Sequence, residues 1–289
     1  MADCRGATGL EVELGANIDI RQRDPMTASS IPKLFDLSGK TTLVTGGSRG
    51  LGLQIAGALG SAGARIMLSS RKAEELERAA ATLHGAGIDA QWIAADCAKE
   101  GDARRLVDQA MRQLGRIDVL VNNAGASWAA PAEEHPVEAW DKVMNLNVRG
   151  YFILAQQVAR RWMIPNKSGS IINVASIAGL NGNSPAVKTI AYNTSKTAVI
   201  GFTRTLAAEW GCFGIRVNAI CPGYFKTKLA SGLIQQLGEE NMIATVPLRR
   251  LGDDEDLMGI TLLYASEAGK HITGQWLAVD GGASVVLVA

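Results

Sequence analysis

No apolar run in this chain approaches the ~20 residues that a helix needs to cross a bilayer, so no membrane span is expected. The segment before residue 30 carries Asp3, Arg5, Glu11 and Glu13 and lacks the apolar core of a signal peptide. A metal centre is not expected either. The three histidines, His84, His135 and His271, are scattered, and Cys4, Cys97, Cys212 and Cys221 make no C-x-x-C pair. Such spacing suits reduced thiols in a cytoplasmic protein rather than a disulfide framework. A nucleophilic cysteine needs a base beside it, and the sequence offers no candidate. An excess of one charge is also missing. The 29 Lys and Arg balance the 28 Asp and Glu, which leaves no field to attract nucleic acid or an anionic membrane.

What is present is a chain of 289 residues, 47% apolar, which is enough for one α/β domain with a substantial core. Residues 1–30 have no sustained period and are read as a mobile N-terminal extension, with Met26 as an alternative start. Residues 31–289 are read as one dinucleotide-binding domain. Within it, strands are expected at 41–45, 65–69, 90–94, 117–121, 170–174, 215–220 and 276–279. Helices are expected at 50–61, 72–84, 102–114, 137–162 and 192–209. Strands separated by helices imply right-handed βαβ units and a Rossmann-like, doubly wound parallel sheet.

One turn in this pattern carries chemistry. Thr45-Gly46-Gly47-Ser48-Arg49-Gly50-Leu51-Gly52 leaves the first strand and opens the first long helix. Gly46 permits a tight turn, Gly50 lets the backbone approach a pyrophosphate, and Gly52 lets helix and strand pack closely. The helix N-terminus adds N–H donors and partial positive charge. Tight strand–helix turns select glycine without any ligand too, so the strand-turn-helix context is what gives the motif weight. An NAD site usually has a carboxylate at the end of the second strand, bonded to the ribose 2′-OH. Here that end reads Leu68-Ser69-Ser70-Arg71-Lys72. With Ser48 and Arg49 in the turn, Ser70 and Arg71 suit a 2′-phosphate and favour NADPH. Arg71 and Lys72 could equally open a solvated helix. Asp96 and Cys97 after the third strand are placed at the adenine, and Asn122-Asn123-Ala124-Gly125 beside the cofactor.

A second constellation lies downstream. Tyr192 and Lys196, four apart, share one helix face. A tyrosine with pKa ~10 is a poor acid or base near neutrality, and a neighbouring ammonium is expected to lower that pKa. The same lysine can bond the nicotinamide ribose. Ser176 follows a strand end, where its hydroxyl can bond a substrate oxygen as charge builds on it. Asn147, a weak helix former, is expected to anchor a water that relays protons to Lys196. Each residue alone has a dull alternative in core packing, a turn or a helix–helix bond.

These motifs resemble the short-chain dehydrogenase/reductases, with T-G-x-x-x-G-x-G at Thr45–Gly52, N-N-A-G at Asn122–Gly125 and Y-x-x-x-K at Tyr192–Lys196. The resemblance runs from about residue 35 to the end. It implies a seven-stranded sheet, a homotetramer, and a tetrad at Asn147, Ser176, Tyr192 and Lys196. It also places Pro222, Gly223 and Thr227 at the cofactor. Within the family the stretch from Asn122 to Trp128, with Trp140 to Met144, is similar to β-ketoacyl reductases of the rhamnolipid-pathway type. The Ser176–Tyr192 segment is longer than in the reductases of fatty-acid synthesis. Of the two basic residues with which those dock an acyl carrier, one matches Lys167 and the other falls on Phe213.

The expected activity is therefore NADPH-dependent reduction of a ketone to a secondary alcohol. The expected substrate is a 3-oxoacyl thioester of CoA or an acyl carrier, or a similar hydrophobic carbonyl, in a pocket lined by Trp128, Leu180, Tyr224 and Phe225. A polyol or sugar-acid dehydrogenase shares all these motifs and stays open. A non-catalytic dinucleotide-binding protein is opposed by the intact tetrad, and a structural interaction protein by the glycine turn. Residues 224–250, with Gly232 and Gly238 interrupting their helical pattern, are expected to form a mobile lid.

Overall fold

The computed structural model describes residues 30–286. The expected N-terminal extension lies outside the described residues, except that Ser30 opens a short helix, α1 (Ser30–Phe35). Seven strands form one sheet: β1 (Thr41–Thr45), β2 (Arg65–Ser70), β3 (Ala90–Ala94), β4 (Val119–Asn122), β5 (Gly169–Val174), β6 (Ile215–Pro222) and β7 (Trp276–Val279). Every neighbouring pair is parallel, in the order β3-β2-β1-β4-β5-β6-β7. The chain reverses its direction of travel across the sheet between β1 and β4. In open α/β sheets ligands bind in the crevice beyond the carboxyl ends of the strands at such a point.

The helices between the strands are α2 (Gly50–Ser61), α3 (Ala73–Gly85), α4 (Glu100–Leu114), α5 (Val137–Met144), α6 (Gly150–Val158), α7 (Ile164–Asn166), α8 (Ile190–Trp210), α9 (Ser231–Leu237), α10 (Glu239–Ala244) and α11 (Met258–Ala265). The 3.6-residue period explains α4: Ala103, Leu106, Val107, Ala110 and Leu114 form its buried stripe, and Gly115, at φ 77°, ends it in the left-handed conformation. Strand residues alternate between two cores. Leu43, Met67, Leu120, Ile171 and Val217 pack with α4, α6 and α8 on one face. Val44, Ile66, Leu68, Val121, Ile172 and Ile220 pack with α2, α3 and α11 on the other.

The expected single helix over 137–162 is a compound one. Between α5 and α6 lies a π-helical turn, Asn145–Arg149, and after α6 a second, Ala159–Met163. A π turn inserts one residue and rotates the helix beyond it, a distortion common at functional sites. The first of the two falls on Asn147. The adjoining Gly150 is needed for a close approach, since a Cβ there would lie 2.6 Å from the Cys97 carbonyl oxygen.

Candidate active site

At the end of β1, Gly46 and Gly50 take φ of 66° and 52°, which side chains resist. A Cβ at Gly46 would lie 2.7 Å from Asn123 Nδ2, and one at Gly52 would collide with the Gly46 carbonyl oxygen. The turn is tied to the end of β4. Thr45 Oγ1 accepts from the backbone N–H of Asn123 at 3.1 Å and of Ala124 at 3.2 Å, and donates to the Val121 carbonyl at 3.2 Å. Asn123 Nδ2 donates to the carbonyls of Thr45 and Gly46, at 3.0 and 3.1 Å. The Thr227 methyl would lie 3.5 Å from a Cβ at Gly50, so the start of the 224–250 segment stands over the turn. Leu51 packs on the second core. Gly223 sits against Asp280 and donates its N–H to the Val279 carbonyl at 2.9 Å, with the buried Pro222 before it.

Ser70 ends β2, with Arg71 and Lys72 directly after it. The hydroxyls of Ser69 and Ser70 are buried there without a hydrogen-bond partner. The carboxylate that the strand end lacks arrives from α3 instead. Glu75 forms an ion pair with Arg49, lies 3.3 Å from Lys72 Nζ, and accepts from Ser48 Oγ at 3.5 Å. Inspection of the strand end could not find it; its first-turn position on α3 was the available signal. Further round the edge, Asp96 Oδ1 accepts the Ala98 N–H at 3.2 Å and Cys97 is buried, its thiol pushed up to about 12 chiefly by burial. The glycine turn at the helix N-terminus, with the strand ends beside it, fits a dinucleotide.

The structure brings Asn147, Ser176, Tyr192 and Lys196 together where β5, α8 and the π turn meet. Lys196 is buried and donates from Nζ to the Val174 carbonyl at 2.7 Å, an oxygen also approached by the buried Tyr151 hydroxyl at 3.3 Å. Lys196 Nζ would lie 3.8 Å from a Cβ at Gly125, which places it against the Asn122–Gly125 loop. Asn147 is fully buried. Its Nδ2 donates to the Ala126 carbonyl and to Ser195 Oγ, both at 2.9 Å, and its Oδ1 accepts the Ala126 N–H at 2.9 Å. Both donors are thus committed to the protein. Ser195 Oγ passes the connection on, donating to the Tyr192 carbonyl at 2.7 Å. Ser176 caps the short turn Ile177–Gly179, its Oγ accepting from the Ala178 N–H at 3.1 Å. Two α8 side chains clamp that turn: Asn193 Nδ2 donates to the Ala178 carbonyl at 2.8 Å and Thr197 Oγ1 to that of Gly179 at 3.0 Å. Sequence reasoning missed Tyr151, Asn193, Ser195 and Thr197. Asn193 and Thr197 repeat the Tyr192–Lys196 spacing one residue on, which was a usable signal.

The expected lowering of the Tyr192 pKa by Lys196 is overturned. Burial raises the phenol from its ordinary value, against a weaker opposing effect from its hydrogen bond with Ser176. Burial also takes Lys196 down to about 8. Its ammonium is engaged by Val174 and lies 5.6 Å from the centre of the Tyr192 ring. The buried Cys221 thiol beside them is raised to about 11, mainly by burial.

Of the residues expected to line the pocket, Trp128 is exposed, with Lys142 Nζ 5.7 Å from its ring centre, and Leu180 and Tyr224 are half-buried. Phe225 is a correction. It is 4% exposed in the second core, with its ring against Gly252, because the chain turns inward there in a parallel bridge. The 224–250 segment holds α9 and α10. Gly238, at φ 80°, separates them as expected, whereas Gly232 lies inside α9 and interrupts nothing. Gln236 Nε2 of α9 donates to the Ala186 carbonyl at 2.9 Å, which docks the segment on the loop before α8. Lys167 and Phe213 precede β5 and β6, at the sheet edge opposite this cleft. Among the described residues, no helix is long and apolar enough to cross a membrane.

The family model for short chain dehydrogenase matches residues 40–238. A rhamnolipids biosynthesis 3-oxoacyl-[acyl-carrier-protein] reductase of Pseudomonas aeruginosa is 39% identical over 255 residues, covering 86% of this chain and 97% of that one. Gluconate 5-dehydrogenase of Gluconobacter oxydans is 36% identical over 259 residues, covering 89% and 100%. The solved gluconate 5-dehydrogenase of Burkholderia cenocepacia, in complex with NADP and tartrate, superposes with a TM-score of 0.83 at 33% identity, covering 89% of this chain and 99% of that one.

Proposed function

Because the chain belongs to the short-chain dehydrogenase/reductase family and is an NAD(P)-dependent oxidoreductase interconverting ketones and alcohols, we propose that it works as an NADPH-dependent reductase of a hydrophobic ketone. The substrate class is 3-oxoacyl thioesters. The observation that carries the reading is the half-buried Tyr192 hydroxyl, bonded to Ser176 and standing beside the buried Lys196, a proton donor placed at the mouth of the cleft. The bound dinucleotide supplies the hydride. Tyr192 donates its proton to the carbonyl oxygen, and Ser176 donates a hydrogen bond to the same oxygen as negative charge develops. Lys196 holds the ribose and supports the phenol. Asn147 is a positioning residue: it fixes the 126 loop and, through Ser195, the first turns of α8.

The glycine turn, Leu51, Asn123, Ala124 and Gly125 hold the pyrophosphate and the nicotinamide half, with Pro222, Gly223 and Thr227 closing on it. Ser48, Arg49, Ser70 and Arg71 hold the 2′-phosphate, and Asp96 and Cys97 border the adenine. Trp128, Leu180 and Tyr224 face the substrate. The acyl group is carried by CoA or an acyl carrier. A homotetramer and a cytoplasmic location belong to the same reading; the edge strand β7 leaves Trp276 and Leu277 about 38% and 48% exposed, which supports burial against another copy. The second reading is a sugar-acid or polyol dehydrogenase at the same site, supported by the similarity to gluconate 5-dehydrogenase.

A panel of medium-chain 3-oxoacyl thioesters, simple ketones, keto sugar acids and polyols, followed at the nicotinamide absorbance band with each cofactor, separates the readings. Faster turnover of sugar acids or polyols than of 3-oxoacyl thioesters would replace the first reading by the second. Removing Arg49 and Arg71 together should erase most of the preference for NADPH.

A further inference from the structure

The 2′-phosphate site proposed above carries a feature that neither arginine explains. Glu75 reaches back from the first turn of α3 and stands among Arg49, Lys72 and Ser48. Its side chain is 19% exposed, against 49% for Arg49 and 68% for Lys72, so the carboxylate is the inner member of the group. Lys228 adds to the positive field on it, from beside Thr227 at the root of the lid. Together these hold the carboxylate below its usual range, against the opposing effect of partial burial. A solvated helix face would pair such groups at i, i+3 or i, i+4 along one helix. The Arg49–Glu75 pair instead links the glycine turn to α3, across the end of β2 where Ser69 and Ser70 keep buried hydroxyls without partners.

We infer that Glu75 is a specificity-determining residue: it occupies the guanidinium of Arg49 and competes with the 2′-phosphate of the cofactor for it. This rests on the NADPH reading of the site. A carboxylate and a phosphate monoester want the same fork of N–H donors, and two anions at one guanidinium repel each other. NADPH binding therefore requires Arg49 to exchange partners, or Glu75 to turn out toward Lys72. NADH requires neither. The carboxylate thus pulls the site back toward NADH, and the enzyme discriminates between the cofactors less than its arginines alone would make it.

The test is a binding cycle read without turnover. Native protein, Glu75→Gln, Arg49→Ala and the double variant are titrated calorimetrically with NADPH, NADH, 2′,5′-ADP and 5′-ADP. Glu75→Gln is isosteric and removes only the charge. It should raise the NADPH/NADH affinity ratio, and the 2′,5′-ADP/5′-ADP ratio with it, by about tenfold. In the Arg49→Ala background the same change should have little effect, because the competition runs through that guanidinium. An unchanged or lower ratio in Glu75→Gln overturns the inference. So does an equal gain with and without Arg49, which would mark a general surface-charge effect. The outcomes for the underlying reading are separate. A native protein that binds NADH as well as NADPH, but gains preference in Glu75→Gln, keeps the role of Glu75 and removes the NADPH reading. A native preference for NADPH that Glu75→Gln leaves untouched does the reverse.

Discussion

The floor of the cleft and its cover are built on opposite terms. In the floor, Asn147, Ser195, Lys196 and Asn173 are buried, and each has protein partners for its polar atoms. A buried polar group without its partner costs about 1–3 kcal/mol, so these bonds hold one geometry and tolerate little change. In the cover, α9 has no buried residue, α10 has only Met242, and Leu229 is 53% exposed. Surface of that kind opens locally at low cost. In the proposed reading the acid and its supports sit on the rigid part, while Tyr224, one of the proposed substrate contacts, opens the loose one. Substitutions in the floor should therefore act on turnover and stability, and those in the cover on substrate affinity.

The largest effect expected is on turnover. Tyr192→Phe keeps the ring and its packing but removes the proton, and should lower kcat by roughly 10²–10⁴-fold with the NADPH dissociation constant little changed. Near-native kcat in that variant would end the assignment of Tyr192 as the acid.

Asn147→Ala tests whether the floor is held by its polar bonds. The variant leaves the Ala126 N–H and carbonyl and Ser195 Oγ without their partner in a buried place. A loss of about 2–4 kcal/mol is expected, with kcat falling alongside the melting temperature. A variant that melts like the native protein would show that the 126 loop is fixed by something else.

Legibility in the sequence divides along the same line. Strands β1, β3 and β7 stand at the expected residues, because short β-branched or apolar runs bounded by turn residues have little freedom in a parallel sheet. The glycine turn and the Tyr192–Lys196 pair were equally plain, since each is a local spacing with a local consequence. Helix α11 was not read. Its sequence, MGITLLYA, is short and apolar almost throughout, so it has no polar face to reveal a period. The π turn at Asn147 leaves no mark on composition. Phe225 read as an uncharged pocket residue beside Tyr224, but its direction is decided by Gly252, far along the chain. Glu75 reaches its site by a tertiary contact with Arg49 that strand-end reasoning does not anticipate.

The pH dependence of stability sharpens the comparison, because the floor buries a cation and the cover does not. Lys196 falls from 10.5 to about 8 on folding, so its charged form is disfavoured in the native state. Between about pH 8 and 10.5 the unfolded chain holds more protons than the folded one, and stability rises with pH across that window. Below it the full penalty is present, roughly 3 kcal/mol, offset by the bond to the Val174 carbonyl. Without nucleotide, Lys196→Met should match or exceed the native melting temperature at pH ~7 and lose that relative advantage as pH climbs toward 10.5. A difference that stays flat with pH would mean that Lys196 keeps its proton in the fold across that window, its pKa not lowered by burial. Turnover in the variant should be lost at every pH.

The smallest effect belongs to the cover. At the end of the 224–250 segment, Arg250 holds Asp256 through two contacts, Nη1–Oδ2 at 2.5 Å and Nη2–Oδ1 at 2.6 Å, and Asp256 Oδ2 also accepts the Asp253 N–H at 2.8 Å. The hydrogen bond from Arg250 is the chief reason that the Asp256 carboxyl falls to about 2. The sign is that of a depressed acid: the pair contributes its full stability above pH ~4 and loses it as pH falls through about 2, outside any working range of the enzyme. Arg250 is half exposed, so solvent screens the pair, and Asp256→Asn should cost at most about 1 kcal/mol of global stability. Its consequence should be local. The clamp fixes the point where the cover rejoins the body, next to Leu251 and Gly252 under the Phe225 ring. Loosening it should speed hydrogen exchange over 224–250 and raise KM for the ketone severalfold, while kcat at saturation and the NADPH dissociation constant stay near native. An effect of the opposite kind, a fall in kcat with KM unchanged, would mean that the cover takes part in the chemical step and that the division between floor and cover does not hold.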